Sequence, residues 1–480
     1  MLAAIGFAAG LGNLWRFPML AYEHGGAAFI VALVTANILI AFPLVMFETV
    51  IGQKFQSGAP SSMEKLRKGT AWIQWIPLLG HIFVLMYYAP VMAWAVRFLC
   101  ETLVNGFPAQ PTTFFNETIL GQSNSIEDPG IWQTGLLLAL IATYILVMLC
   151  LRNGLKTVSK VIKVTATAPF LLLLIILIRS LTLPGASDGL TALFVPDWSA
   201  LADVKIWQAA IGQAFFSAGL AFGYFTMSGS HRQPDAEIPK TTIAILAGNL
   251  GVSLLAGMAV FATLGFMAHE QGVPLKEVAN GGPTLVFSVL PEAIAAMPVF
   301  QTGMGVLLFL VVITLAIDSI MGSVESVTAG FMDLRSHKGG EFKLTLMILG
   351  IAFLGGLAII SAAGTYYLDI LDHFVGGYIF MLVGVLECVV GAWLVNPEKI
   401  RTWINETATG LHIGKWFNHA LRLNVIVVGG IFLTAMYGEF QGPYGGYPAW
   451  ALILFGGLPL AIMLVGAFVL SRFQSGPSQT

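Results

Sequence analysis

The run Gly10-Leu-Gly-Asn-Leu-Trp-Arg-Phe-Pro18 lies near the start of a long apolar stretch. Few membrane-spanning helices carry two glycines, an Asn, an Arg and a Pro within two turns. An Arg near mid-bilayer costs about 2.5–3.5 kcal/mol on insertion scales, and Gly and Pro weaken the helix at the same place. Hydrocarbon cannot satisfy freed N–H and C=O groups, so irregular backbone at membrane depth persists only where it lines a protein cavity. The helix is therefore expected to break here, with the break facing a polar site.

The rest of the chain supports a membrane setting. Of 480 residues, 57% are hydrophobic and 10% charged, against about 25% charged in a soluble domain. The expected class is all-α and polytopic. A net charge of −2 without a basic run argues against nucleic acid as a partner. The three cysteines, Cys100, Cys150 and Cys388, sit far apart in apolar runs. They are expected to be buried small residues and not a disulfide framework.

Twelve apolar spans are long enough to cross about 30 Å of hydrocarbon. They fall at 1–21, 27–52, 73–104, 132–151, 158–182, 206–230, 241–268, 300–333, 343–361, 367–395, 421–438 and 448–471, and are numbered here 1 to 12. Basic residues alternate between the connections. Lys54, Lys65, Arg67 and Lys68 follow span 2, and Arg152, Lys156, Lys160 and Lys163 surround the junction of spans 4 and 5. Arg232 and Lys240 follow span 6, Arg335, Lys338 and Lys343 follow span 8, Lys399, Arg401, Lys415 and Arg422 follow span 10, and Arg472 follows span 12. Connections 105–131, 362–366 and 439–447 hold no Lys or Arg. The positive-inside rule then puts both termini in the cytoplasm of a multi-pass plasma (inner) membrane protein. Segments 183–205 and 269–299 read as short interfacial helices over an outer vestibule, and 475–480 as a polar tail.

Span 6 repeats the oddity of span 1. Gly212-Gln-Ala-Phe-Phe-Ser-Ala-Gly-Leu-Ala-Phe-Gly223 is interrupted by three glycines and carries Gln213 and Ser217. Two broken spans, five apart, point to a five-plus-five inverted repeat with a midplane binding site. The repeats would cover 1–182 and 183–395, with spans 11 and 12 accessory in 396–480.

At these residues a resemblance enters. The first motif, followed by Glu23-His-Gly-Gly-Ala-Ala-Phe29, resembles the opening of the neurotransmitter:sodium symporter family. Gly212-Gln-Ala-Phe-Phe-Ser217 and Asp318-Ser319 are similar to that family's sixth and eighth helices. The resemblance runs from about residue 3 to the end of span 12 and implies two sodium sites. Sodium is a hard cation that takes oxygen ligands. The first site would use the Ala8 carbonyl with Asn13, Ser217 and Asn249, and the substrate carboxylate as a further ligand. The second would use carbonyls of Gly6, Ala9 and Leu315 with the side chains of Asp318 and Ser319. Taken singly, Asn13 or Asn249 fits an interhelical hydrogen bond equally well, and Asp318 could be a protonated structural group, since a buried carboxylate needs a cation or a proton.

The implied substrate cradle is Ala8, Leu11, Gly12, Val84, Tyr88, Phe216, Ser217, Gly219, Phe222, Ser319 and Ser323. Backbone N–H groups at a half-helix start can hold a carboxylate, and Phe216 and Tyr88 would form a lid. Monoamine carriers of the family place an Asp where this chain has Gly10, so an amino acid or similar zwitterion is implied. Arg16 and Asp372 match the outer gate, with Gln213 orienting Arg16. Glu48 and Glu325 read as hydrogen-bonded structural partners near the breaks.

Three departures bear on the carry-over. Ser253 stands where a chloride-independent bacterial relative has Glu, which brings Gln213, Ser217, Asn249 and Ser253 into view as a chloride site. The family's chloride-ligating Tyr is Leu33 here, so chloride stays open. Met1 leaves about seven residues before the break, roughly 10 Å of helix, so a start further upstream is expected. Without the family's preceding Arg and Trp, Asp333 would be an orphaned inner-gate partner, with His231 in place of a nearby Tyr.

The function implied is sodium-driven symport of an amino acid or related zwitterion by alternating access. A non-transporting amino-acid sensor of the same fold and a proton-coupled carrier working through Asp318 or Glu48 are the rivals. No P-loop, metal-ligand spacing of histidines or nucleophile–base arrangement points to an enzyme.

Overall fold

A computed structural model describes residues 2–152, 161–279, 281–334, 340–439 and 441–474. Met1, Lys156, Lys160, Arg335, Lys338 and the polar tail 475–480 lie outside the described residues. Among the described residues the chain is all helical, apart from an isolated bridge between Leu334 and Gln474.

Among the described residues, ten helices are long and apolar enough to cross a membrane, and they coincide with ten of the twelve expected spans. The other two, spans 1 and 6, are interrupted. Span 1 is divided into Leu2–Ala8, Leu11–Trp15 and Phe17–Glu23, and span 6 into Val204–Ala218 and Tyr224–Ser230. Both breaks fall inside the expected motifs. Segments 183–205 and 269–299 form short helices, including Ala186–Phe194, Leu275–Val278 and Gly282–Ala295. The connection 105–131 carries a helical piece, Pro111–Leu120, that sequence reading did not foresee.

Spans 3 (Ala71–Asn105) and 8 (Gln301–Met332) pack along each other at the centre of the bundle. Span 2 lies close against the second half of span 6, where a Cβ at Gly52 would collide with the Thr226 carbonyl. Small residues permit this approach of two backbones. Span 10 contains a π-helical stretch, Asp372–Ile379, a wider turn that occurs often at functional sites. Cys150 and Cys388 are buried as expected, but Cys100 lies on the outer surface of the bundle.

Candidate substrate and ion site

The break in span 1 can be followed bond by bond. The last regular bond is Ala9 N–H to the Ile5 carbonyl, 2.7 Å. Gly10 N–H then turns to the Ala8 carbonyl at 2.9 Å, so the Gly6 carbonyl loses its i+4 donor. Leu11 N–H goes to the Tyr88 hydroxyl at 3.0 Å, which releases the Phe7 carbonyl. Asn13 N–H goes to the Gly10 carbonyl at 3.1 Å, which releases that of Ala9. Three displaced donors, on Gly10, Leu11 and Asn13, therefore free carbonyls in the interior. Two of them, on Gly6 and Ala9, belong to the expected second sodium site.

The expected partners in span 8 stand beside these carbonyls. Gly6 packs directly on the Asp318 carboxylate, where any Cβ would collide with Oδ2. Asp318 is buried; its Oδ1 accepts from the Thr165 hydroxyl at 2.5 Å and its Oδ2 has no partner. Thr165, on span 5, was not foreseen. The Ser319 hydroxyl donates to the carbonyl of Phe7 (3.2 Å) or of Leu315 (3.4 Å). Ser319 thus meets the Phe7 carbonyl, which sequence reading had not included.

Three residues expected at the first sodium site, Asn13, Ser217 and Asn249, are brought together with Ser253, expected among the chloride candidates. Asn13 Nδ2 reaches Asn249 Oδ1 at 2.7 Å and Ser253 Oγ at 3.0 Å. Ser217 Oγ lies 3.2 Å from Asn13 Oδ1 and 3.1 Å from Asn249 Oδ1. All four residues are buried. Amide N–H groups as well as oxygens hold this network: Asn13 Nδ2 also reaches the Asn249 carbonyl at 3.0 Å, and Asn249 Nδ2 donates to Ser217 Oγ at 2.9 Å. Gln213 departs from expectation. Its amide donates to the Gly12 carbonyl at 3.4 Å and makes no hydrogen bond to Arg16.

The break in span 6 is built differently. Gly219, Ala221 and Gly223 have φ of 67°, 60° and 71°, and the turn is held from outside by side chains. Ala221 N–H donates to Glu48 Oε1 at 2.9 Å, and His81 Nε2 donates to the Phe222 carbonyl at 2.8 Å. Glu48 is the structural partner expected. Glu325 is not, because it lies near Glu341 and makes no hydrogen bond among the described residues. The buried pair Gln74 and Glu387, hydrogen-bonded to one another, escaped sequence reading. An isolated Glu in an apolar span does not announce its partner.

Between the two breaks lies a cavity of about 50 Å³. Ala8, Gly12, Val84, Tyr88, Phe216, Ser217, Gly219, Phe222, Ser319 and Ser323 line it, as expected. Leu11 does not line it; its side chain is buried, and only its N–H faces Tyr88. A Cβ on Gly10 would come within 2.9 Å of the Tyr88 hydroxyl and 3.0 Å of the Ser319 hydroxyl. A side chain at position 10 would therefore displace the Tyr88 or Ser319 hydroxyl.

Tyr88 and Phe216 also border a larger outer cavity of about 290 Å³, so the two rings partition one space from the other. Arg16 and Asp372 both line that outer cavity but form no ion pair. Arg16 lies over the Phe216 ring at 5.1 Å, and Asp372 accepts from the Tyr87 hydroxyl at 2.7 Å. Gly282 and Pro283 complete the rim of the cavity, as expected of the outer segments.

Away from that cavity, Asp333 and Gln474 tie distant segments together. Asp333 is not orphaned: it accepts from Gly58 N–H at 2.7 Å. Gln474 bonds to Ser61 and accepts from Trp75 Nε1 at 3.1 Å.

The profile of the sodium:neurotransmitter symporter family matches residues 1–110 and 104–475. The chain belongs to the sodium:neurotransmitter symporter family. Relatives span it nearly end to end. An uncharacterized sodium-dependent transporter of Methanocaldococcus jannaschii is 33% identical, covering 99% of this chain and 96% of the relative. The sodium- and chloride-dependent taurine transporter of Canis lupus familiaris is 29% identical over 97% of this chain and 82% of its own length. The human sodium- and chloride-dependent GABA transporter 2 is 30% identical over 83% and 72% respectively. Membership in this symporter family makes the chain a membrane carrier and not an enzyme.

Proposed function

We propose that this symporter imports an amino acid or related zwitterion with sodium, by alternating access across a plasma membrane. The observation that carries the reading is the set of freed carbonyls at the span 1 break, adjoining the Asp318 carboxylate on one side and the cavity on the other. Residues 1–182 and 183–395 would be the inverted repeats of a twelve-span carrier, with spans 11 and 12 accessory and both termini cytoplasmic. The outer cavity is consistent with an outward-facing state.

One sodium would sit among Ala8, Asn13, Ser217 and Asn249, shared with the substrate carboxylate. That sharing couples the two ligands, because each binds better when the other is present. A second would sit among Gly6, Ala9, Leu315, Asp318 and Ser319. The unpartnered Asp318 Oδ2 favours a cation there. Arg16 and Asp372 would then close over the bound substrate.

The energetics suffice. One charge crossing 100 mV releases about 2.3 kcal/mol, and a tenfold sodium ratio adds about 1.4. Two ions supply roughly 7 kcal/mol, enough to sustain a zwitterion gradient above ~10⁴. Chloride would be taken up near Ser217, Asn249 and Ser253, as the sodium- and chloride-dependent animal relatives encourage, with Gln213 turned toward Gly12.

Uptake into proteoliposomes tests the reading. Amino-acid accumulation that collapses when choline replaces sodium at fixed pH is expected. Undiminished uptake in choline would favour a proton-coupled carrier, and sodium-dependent binding without uptake would favour a sensor.

A further inference from the structure

We propose that Phe380, on span 10, sets the upper size limit of the substrate, and that this pocket accepts zwitterions with short side chains. The inference rests on the amino-acid reading above and narrows it. Phe380 is not among the cradle positions expected from sequence, yet it lines the cavity between the breaks.

Three features make it a fixed wall. Phe380 stacks on Phe222 with ring centroids 3.5 Å apart and planes 8° from parallel. The edge of Phe222 meets Phe7 at 6.3 Å in a T-shaped contact, and Phe7 itself stacks on Tyr224 at 3.7 Å. The backbone under Phe222 is tied down by His81, which must donate from Nε2 because a carbonyl can only accept. The His81 ring also lies T-shaped against Phe222 at 5.3 Å. Phe222 therefore cannot rotate away while Phe380 and His81 are in place. Phe380 follows directly on the π-helical stretch Asp372–Ile379, whose Asp372, His373 and Gly377 face the outer cavity. One segment of span 10 thus serves both spaces.

The volume supports the size limit. A single water needs about 10–15 Å³ on this kind of measure, so 50 Å³ holds only a few heavy atoms. The polar groups at Tyr88, Ser319 and Ser217 would take the carboxylate and ammonium, leaving the aromatic side for the substrate's own side chain. In a pocket of this kind one methylene changes affinity by about 10–200-fold.

The test is binding of alanine, leucine and tryptophan to the purified full-length protein, with and without sodium. Wild type is expected to prefer alanine. Phe380→Ala should move the leucine-to-alanine affinity ratio by roughly tenfold or more toward leucine, and Phe380→Leu by less. His81→Phe, which removes the tie on Phe222, should shift the ratio in the same direction. Sodium dependence should persist in all three, and a merely destabilised variant would weaken every ligand alike without changing the ratio. An unchanged ratio in both Phe380 variants would overturn the inference while leaving the amino-acid reading intact. Sodium-dependent binding of none of the three by wild type would instead overturn that reading.

Discussion

The two broken helices solve the same problem in opposite ways. In span 1 the interruption is made by re-routing donors over a few residues, without any left-handed residue between Ala8 and Leu11. Of the carbonyls it releases, that of Phe7 accepts from the Ser319 hydroxyl, and Gly6 packs against the Asp318 carboxylate. In span 6 the interruption needs three residues at positive φ, and its polar groups are taken up by Glu48 and His81 from neighbouring spans. One break frees carbonyls beside Asp318. The other is a braced hinge that places Phe222 in the cavity. Breaking a membrane helix therefore does not by itself create an ion site; what matters is whether the surrounding protein claims the freed groups.

Substitutions at each break can overturn that contrast. The largest effect is expected from Asp318→Asn, which removes the carboxylate beside the freed carbonyls. Sodium affinity should drop by about 3 kcal/mol, roughly 100-fold, read from the sodium dependence of substrate binding. Glu48→Ala should act on folding instead. It leaves Ala221 N–H buried without an acceptor, at about 1–3 kcal/mol, seen as a lowered thermal midpoint, while Glu48→Gln keeps an acceptor and most of the stability. A fall in sodium affinity after Glu48→Ala as large as that after Asp318→Asn would erase the distinction between the breaks.

Tyr88→Phe sits between the two. Loss of the hydroxyl that receives Leu11 N–H should weaken substrate by about 1–1.5 kcal/mol, near tenfold, in a titration at saturating sodium. The smallest change is expected at the hinge backbone. Ala221→Gly relieves a left-handed Ala but adds freedom to the unfolded chain, so stability should stay within about 0.5 kcal/mol. A thermal midpoint clearly lower in Ala221→Gly would mean that the Ala221 methyl packs as part of the brace.

Much of the frame was legible beforehand. The ten continuous spans follow from apolar length, and the breaks from Gly, Asn and Arg placed where lipid would not tolerate them. Asn13, Ser217 and Asn249 converge as expected. The misses share one cause. Gln213 bonding Gly12, Asp333 bonding Gly58, Thr165 on Asp318, and Glu387 with Gln74 are all pairings between distant segments. A side chain's partner there depends on rotation and depth of two helices, which no single segment encodes. The missing ion pair between Arg16 and Asp372 has a local cause, since Arg16 lies over the Phe216 ring and Asp372 accepts from Tyr87.

Composition and motif alone determined that this chain lives in a bilayer and where its helices must fail. These are local consequences of backbone groups that cannot remain unpaired in hydrocarbon. Only the packed structure decided which freed groups are claimed by neighbours, which stay open to a ligand, and that an aromatic pair from spans 6 and 10 bounds the space between. Such choices follow from close packing among helices far apart in the chain, where a shift of one side chain changes what fits.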